Sequence, residues 1–113
     1  MCGRFAITIP SDAMSQLFDA QLVNDLPNVP NFNVCPTNFI HAVTHNGLER
    51  KIESLRWGFV PYWYREVNGG PLLINARSET IAQKPAFANA SRARRCLIPC
   101  SGFYEWSKDL EGN

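Results

Sequence analysis

Cys2 stands directly behind the initiator Met1, and a small residue at that position normally lets an aminopeptidase remove the methionine. The chain would then begin with a cysteine carrying a free α-amine beside its thiol. That pair condenses with an aldehyde. The amine forms a Schiff base, the thiol closes onto it, and the five-membered thiazolidine that results hydrolyses far more slowly than an open imine. Free α-amines and thiols titrate at about 7.7–8.0 and about 8.5, so the reaction runs near neutral pH. The plain alternative is a small second residue with no chemical role, and residues further along decide between the two.

Glu105 is flanked by Phe103, Tyr104 and Trp106, and a carboxyl set among rings is suited to acid–base work. A short apolar strand, Leu72 to Ile74, leads into Asn75-Ala76-Arg77-Ser78-Glu79-Thr80. That order predicts a helix start with polar donors around it, a natural seat for phosphate. Trp57 to Tyr64 is the most aromatic window of the chain. Such a window packs as core or serves as a platform for unstacked bases, and core is the default. Arg92, Arg94 and Arg95 crowd three cations before an apolar segment, which reads as a solvated edge able to meet phosphates.

Around these residues the pattern predicts the following elements. A strand over Arg4–Ile9 would hold Cys2 at its entrance. A helix capped by Ser11 would bury Met14, Leu17, Phe18 and Leu22. An irregular connection through Pro27 and Pro30 reaches Cys35-Pro36, where the proline keeps Cys35 extended. Phe39–Thr44 and Leu48–Leu55 form a hairpin about His45-Asn46-Gly47, which leaves His41 and His45 as exposed hairpin residues without a role. Cys96 to Pro99 reads as a buried strand turning at Ser101-Gly102 into Phe103–Trp106. The fold class is α+β, mostly antiparallel sheet with short helices.

The chain has 113 residues, 45% of them apolar, and a net charge of +1, so it suits a single small packed domain, and global charge argues for no particular partner. It contains no apolar run near the ~20 residues that span a bilayer and no signal-peptide pattern, which predicts a cytosolic or nucleoid-associated protein. Four cysteines in that compartment are expected reduced. Cys96 and Cys100 lack the His neighbours or second cysteine pair of a zinc site, so no metal is expected.

Five ordered motifs resemble the SRAP family (SOS response-associated peptidase), which processes abasic sites in DNA: Met1 to Phe5, Phe32 to Thr37, Trp57 to Trp63, Asn75 to Thr80, and Arg94 to Trp106. The resemblance covers nearly the whole chain. It implies an open, barrel-like sheet with the N-terminus in a DNA cleft, and a sensor of abasic sites in single-stranded DNA that needs no cofactor. Met1 would leave by autoproteolysis, and Cys2 would capture the sugar aldehyde as a thiazolidine crosslink, a hydrolase and lyase-like chemistry. By the same resemblance, Asn75 contacts the N-terminus and sugar, Glu105 is the acid–base carboxylate, and Arg4, Arg77 and Trp63 contact DNA. Family members are about twice as long, and their second half carries a histidine that promotes ring opening. Residues 1–113 are therefore expected to form the N-terminal portion of such a domain.

Two other readings compete. An N-terminal-nucleophile glutamine amidotransferase also begins Met-Cys-Gly and uses its cysteine with the α-amine as base, but the later motifs do not fit it. An incomplete domain that binds single-stranded DNA without reacting would follow from a final strand left unpaired.

Overall fold

The computed structural model describes residues 1–23 and 25–113. In chain order its elements are β1 (Phe5–Ile7), α1 (Ser11–Phe18), β2 (Gln21–Leu22), β3 (Asn31–Val34), β4 (Phe39–His45), β5 (Arg50–Arg56), α2 (Ala88–Ala93) and β6 (Gly102–Phe103). They form two three-stranded sheets, ordered β3-β1-β6 and β2-β5-β4. The α+β class holds, but the sheets stay open and close no barrel.

The predicted hairpin is the best-formed unit. β4 and β5 pair antiparallel from Phe39 opposite Arg56 to His45 opposite Arg50. The turn closes because the Asn46 side-chain oxygen accepts the Leu48 and Glu49 N–H groups, each at 2.9 Å, while Gly47 supplies φ +92°, open to glycine at no steric cost. Ile40, Val43 and Ile52 from this hairpin join Phe5, Ile7, Val34, Met14 and Ala20 in one core. His41 is buried there too, at 3% exposure, and this corrects its reading as an exposed residue. Burial pushes its imidazole below the usual histidine value, against a hydrogen bond to the backbone of Pro27 that acts the other way. Its Nε2 has no partner among the described residues.

The predicted helix is shorter than its apolar spacing suggests. Asp19 turns left-handed (φ 49°, ψ 58°), and Ser15 holds the turn, its carbonyl accepting the Ala20 N–H at 3.0 Å and its hydroxyl donating to the Ala20 carbonyl at 2.6 Å. Leu22 therefore leaves the helix and pairs in parallel with Ile52, and Leu17 faces solvent. Ser11 is the first helical residue rather than the cap; Pro10 occupies that position and no side chain caps the helix. A proline there fits because the first turn has no N–H partners to lose.

Two further expectations fail together. No α-helix begins at Asn75–Thr80; residues 78–87 form a string of turns, such as Thr80 N–H to Arg77 carbonyl (3.2 Å) and Lys84 N–H to Thr80 carbonyl (3.0 Å). β-branched Thr80 and Ile81 lower helix propensity, and Pro85 restricts Lys84, so regular helix starts only at Ala88. The segment Cys96–Pro99 is a single bridge rather than a buried strand. Leu97 exchanges backbone bonds with Val43 at 2.8 and 3.1 Å, while Leu97 and Ile98 themselves are exposed.

Candidate active site

The N-terminus reaches the site as the lead-in to β1. Phe5 is anchored in the core at 6% exposure between Val34 of β3 and Phe103 of β6, and Met1 and Cys2 ahead of it line a cleft. The Arg4 carbonyl accepts the Tyr104 N–H at 3.0 Å and the Cys2 thiol at 3.5 Å. The C-terminal strand therefore runs directly beside the first residues, and Glu105 follows one residue after the last of these bonds.

Two side chains from later parts of the chain meet the backbone of the first two residues at this point. Asn75 Nδ2 donates to the Cys2 carbonyl at 2.7 Å. Glu105 Oε1 lies 3.2 Å from the Met1 ammonium. Met1, Cys2, Asn75 and Glu105 all line one cleft of about 1210 Å³. Glu105 is half-exposed and ion-paired, so the ammonium, rather than the apolar enclosure expected from its neighbours, is its main partner.

Asn75 is held by an interaction that no sequence spacing announces. Trp57 Nε1 donates to the Ile74 carbonyl at 3.1 Å, and the Trp57 ring packs against Phe5 with centroids 5.3 Å apart. One indole thus ties the segment that carries Asn75 to the strand that carries Cys2. Gly58 follows with φ +156°, and a Cβ there would meet Leu72 Cδ1 at 2.9 Å and Arg56 Nη1 at 2.7 Å. The bridge between Phe59 and Leu73 depends on that close approach.

The aromatic window divides. Trp57 serves the core, whereas Tyr62 and Trp63 stand in solvent, their rings edge-on with centroids 5.1 Å apart. Trp63 is thus free to stack, though it does not line the cleft that holds Cys2. Arg4 bonds Asn33 Oδ1 at 3.1 Å, one strand away from Cys2. Arg77 is exposed and likewise off the cleft lining. Arg56, Arg94 and Arg95 do line it, so the Arg92–Arg95 run, exposed as expected, also borders the cleft that holds Cys2. Only the pairing of distant segments could reveal that.

Cys96 and Cys100 border the same cleft as free, exposed thiols. Desolvation and, secondarily, the Glu53 carboxylate push the Cys96 thiol up, so near neutral pH it is held in the protonated, less nucleophilic form. Among the described residues no group of three or more His, Cys, Asp and Glu is placed to hold a metal ion, and no helix is long and apolar enough to cross a membrane.

An N-terminal Met1-Cys2 pair met by an amide and a carboxylate from two later segments marks a class of protein, and comparison with known families agrees. The family model SRAP, SOS response associated peptidase, matches residues 1–113, and the chain belongs to that family. It is 38% identical to the abasic site processing protein YoaM of Bacillus subtilis, over 96% of this chain and 48% of YoaM. It is 31% identical to the abasic site processing protein HMCES of Rattus norvegicus, over 96% of this chain and 37% of that protein. A crystal structure of a Bordetella bronchiseptica protein superposes with a TM-score of 0.72 at 27% identity, covering 92% of this chain and 50% of the other. The chain spans about half the length of the bacterial relatives, and family membership sets the amidotransferase reading aside.

Proposed function

We propose that this chain carries the capture centre of an abasic-site processing protein, acting on abasic sites in single-stranded DNA. The observation that carries the reading is the convergence of Asn75 and Glu105 on the first two residues, at 2.7 and 3.2 Å. Both contacts fall on the two residues whose peptide bond and amine the chemistry would use.

In this reading, hydrolysis of the Met1–Cys2 bond adds one water and releases methionine, leaving a free α-amine on Cys2. The amine attacks the aldehyde of a ring-opened abasic sugar and loses water to form an imine. The Cys2 sulfur then adds to the imine carbon, the proton passes to nitrogen, and the thiazolidine closes. Asn75 keeps the Cys2 carbonyl fixed while this happens. Glu105, left without the Met1 ammonium, is the proton carrier beside the new amine. Arg4 and Arg77, with Arg56, Arg94 and Arg95 on the cleft wall, supply cations for the phosphates, and Trp63 offers a ring face to a splayed base.

A second reading, non-covalent binding of single-stranded DNA, is favoured by one observation. While Met1 remains, its ammonium occupies Glu105 and Cys2 has no free amine. Intact-mass spectrometry before and after incubation with single-stranded DNA bearing one abasic site separates the two. Capture predicts loss of Met1 and a heat-stable DNA adduct that Cys2→Ala abolishes. Retained Met1 with salt-sensitive binding and no adduct would support the second reading instead.

A further inference from the structure

Packing does not hold Glu105 in place. Its neighbours Phe103 and Trp106 are mostly exposed, regular strand ends at Phe103, and its own side chain is half-exposed. Two hydrogen bonds fix the segment instead, and both belong to Tyr104. The Tyr104 N–H donates to the Arg4 carbonyl at 3.0 Å, and the Tyr104 hydroxyl donates to the Phe32 carbonyl at 2.9 Å. Among the described residues, Glu105 and Trp106 add no backbone hydrogen bond of their own.

The two bonds end on different strands. Arg4 leads into β1, whereas Phe32 lies in β3, on the far side of β1 in the order β3-β1-β6. Arg4 closes the arrangement, since its own guanidinium reaches Asn33, the neighbour of Phe32, at 3.1 Å. A chain tied by one backbone bond can pivot about it; a second tie to another strand removes that freedom. The Glu105 Cα is one peptide, about 3.8 Å, from the Tyr104 Cα, so the direction of Tyr104 sets where the carboxylate lies. A shift of about 1 Å at a reacting group can cost about a hundredfold in rate.

We infer that Tyr104 is the positioning residue that sets Glu105 beside the N-terminal amine, its hydroxyl acting as the second tie. It touches no reacting atom and moves no proton. The placement concerns the Met1–Glu105 pair at 3.2 Å and stands without DNA, while its consequence for adduct formation rests on the capture reading above.

Tyr104→Phe keeps the ring beside Trp106 and the backbone bond but removes the second tie. The test measures how fast a soluble acylating reagent labels the α-amine, followed by mass spectrometry of the N-terminal peptide, because pairing with Glu105 shields that amine. Tyr104→Phe and Glu105→Gln should each speed labelling about two- to fivefold, and the double variant should be no faster than either alone. Ser101→Ala loosens the start of β6 at its Thr8 contact without touching Tyr104, and should label at the original rate. Unchanged labelling in Tyr104→Phe or Glu105→Gln overturns the inference, as does a double variant faster than both. Equal speeding by Ser101→Ala also overturns it, since general loosening would then be the cause. Where the chain forms an adduct, Tyr104→Phe should lower the saturating rate about tenfold and leave the half-saturating DNA concentration unchanged. A change in that concentration alone overturns the positioning role. A chain that forms no adduct defeats the capture reading, and the labelling result then decides this inference by itself.

Discussion

The β4–β5 hairpin and the segment from Cys96 to Phe103 both carry apolar side chains on extended backbone, yet they lie on opposite sides of the solvent boundary. Ile40, Val43 and Ile52 are at most 7% exposed, whereas Leu97 and Phe103 exceed half exposure. The hairpin pairs with its own sequence neighbour over seven residue pairs and packs against α1 and β1. The later segment must reach partners about fifty to a hundred residues away, where closing the chain costs more entropy for each contact made, and it gains one bridge to β4 and a short pairing with β1. The candidate site sits on the weakly paired side. Cys2 and Glu105 are joined through β1 and β6, while the hairpin is the frame.

The largest effect expected from this contrast is at Ile52. Ile52→Ala empties a fully buried site and should cost about 2–5 kcal/mol in denaturant unfolding, whereas Ile98→Ala on the exposed segment should stay within about 0.5 kcal/mol. Equal losses at the two positions would erase the distinction. Trp57→Phe keeps a ring against Phe5 but removes the donor to the Ile74 carbonyl. It should cost about 1 kcal/mol and, on the capture reading, slow adduct formation more than it lowers stability, because Asn75 loses its tether.

His41 sharpens the contrast through pH. Its folded pKa lies below the ordinary histidine value of 6.5 because the ring is desolvated, so as pH falls the unfolded chain binds a proton before the folded one does. Stability is fully present above 6.5 and declines as pH drops from there toward the lowered folded value. Urea titrations across that window should show the decline, and His41→Gln should flatten it. A slope that persists in the variant would assign it to other groups. The smallest effect belongs to Ser101, whose hydroxyl accepts the Thr8 N–H at 2.9 Å and lies 2.8 Å from the Thr8 hydroxyl. Ser101→Ala should cost about 0.5–1 kcal/mol and speed hydrogen exchange at Thr8.

Local chemistry was readable wherever neighbours in sequence are neighbours in space. The hairpin with its Asn46-Gly47 turn, the short helix at Ser11, the α+β class and the aminothiol potential of Cys2 all follow from side-chain type and short-range spacing. So does the family resemblance, because its motifs are contiguous. Tertiary packing decided the rest. It ended α1 at Phe18 by drawing Leu22 into a strand, buried His41 beneath Pro27, and turned Arg94 and Arg95 toward the cleft. It also brought Asn75 to the Cys2 carbonyl and Glu105 to the N-terminus across 73 and 104 residues of chain. Spacing in sequence carries information over a turn of helix or a hairpin. Contacts across that distance depend on which faces the core has already buried.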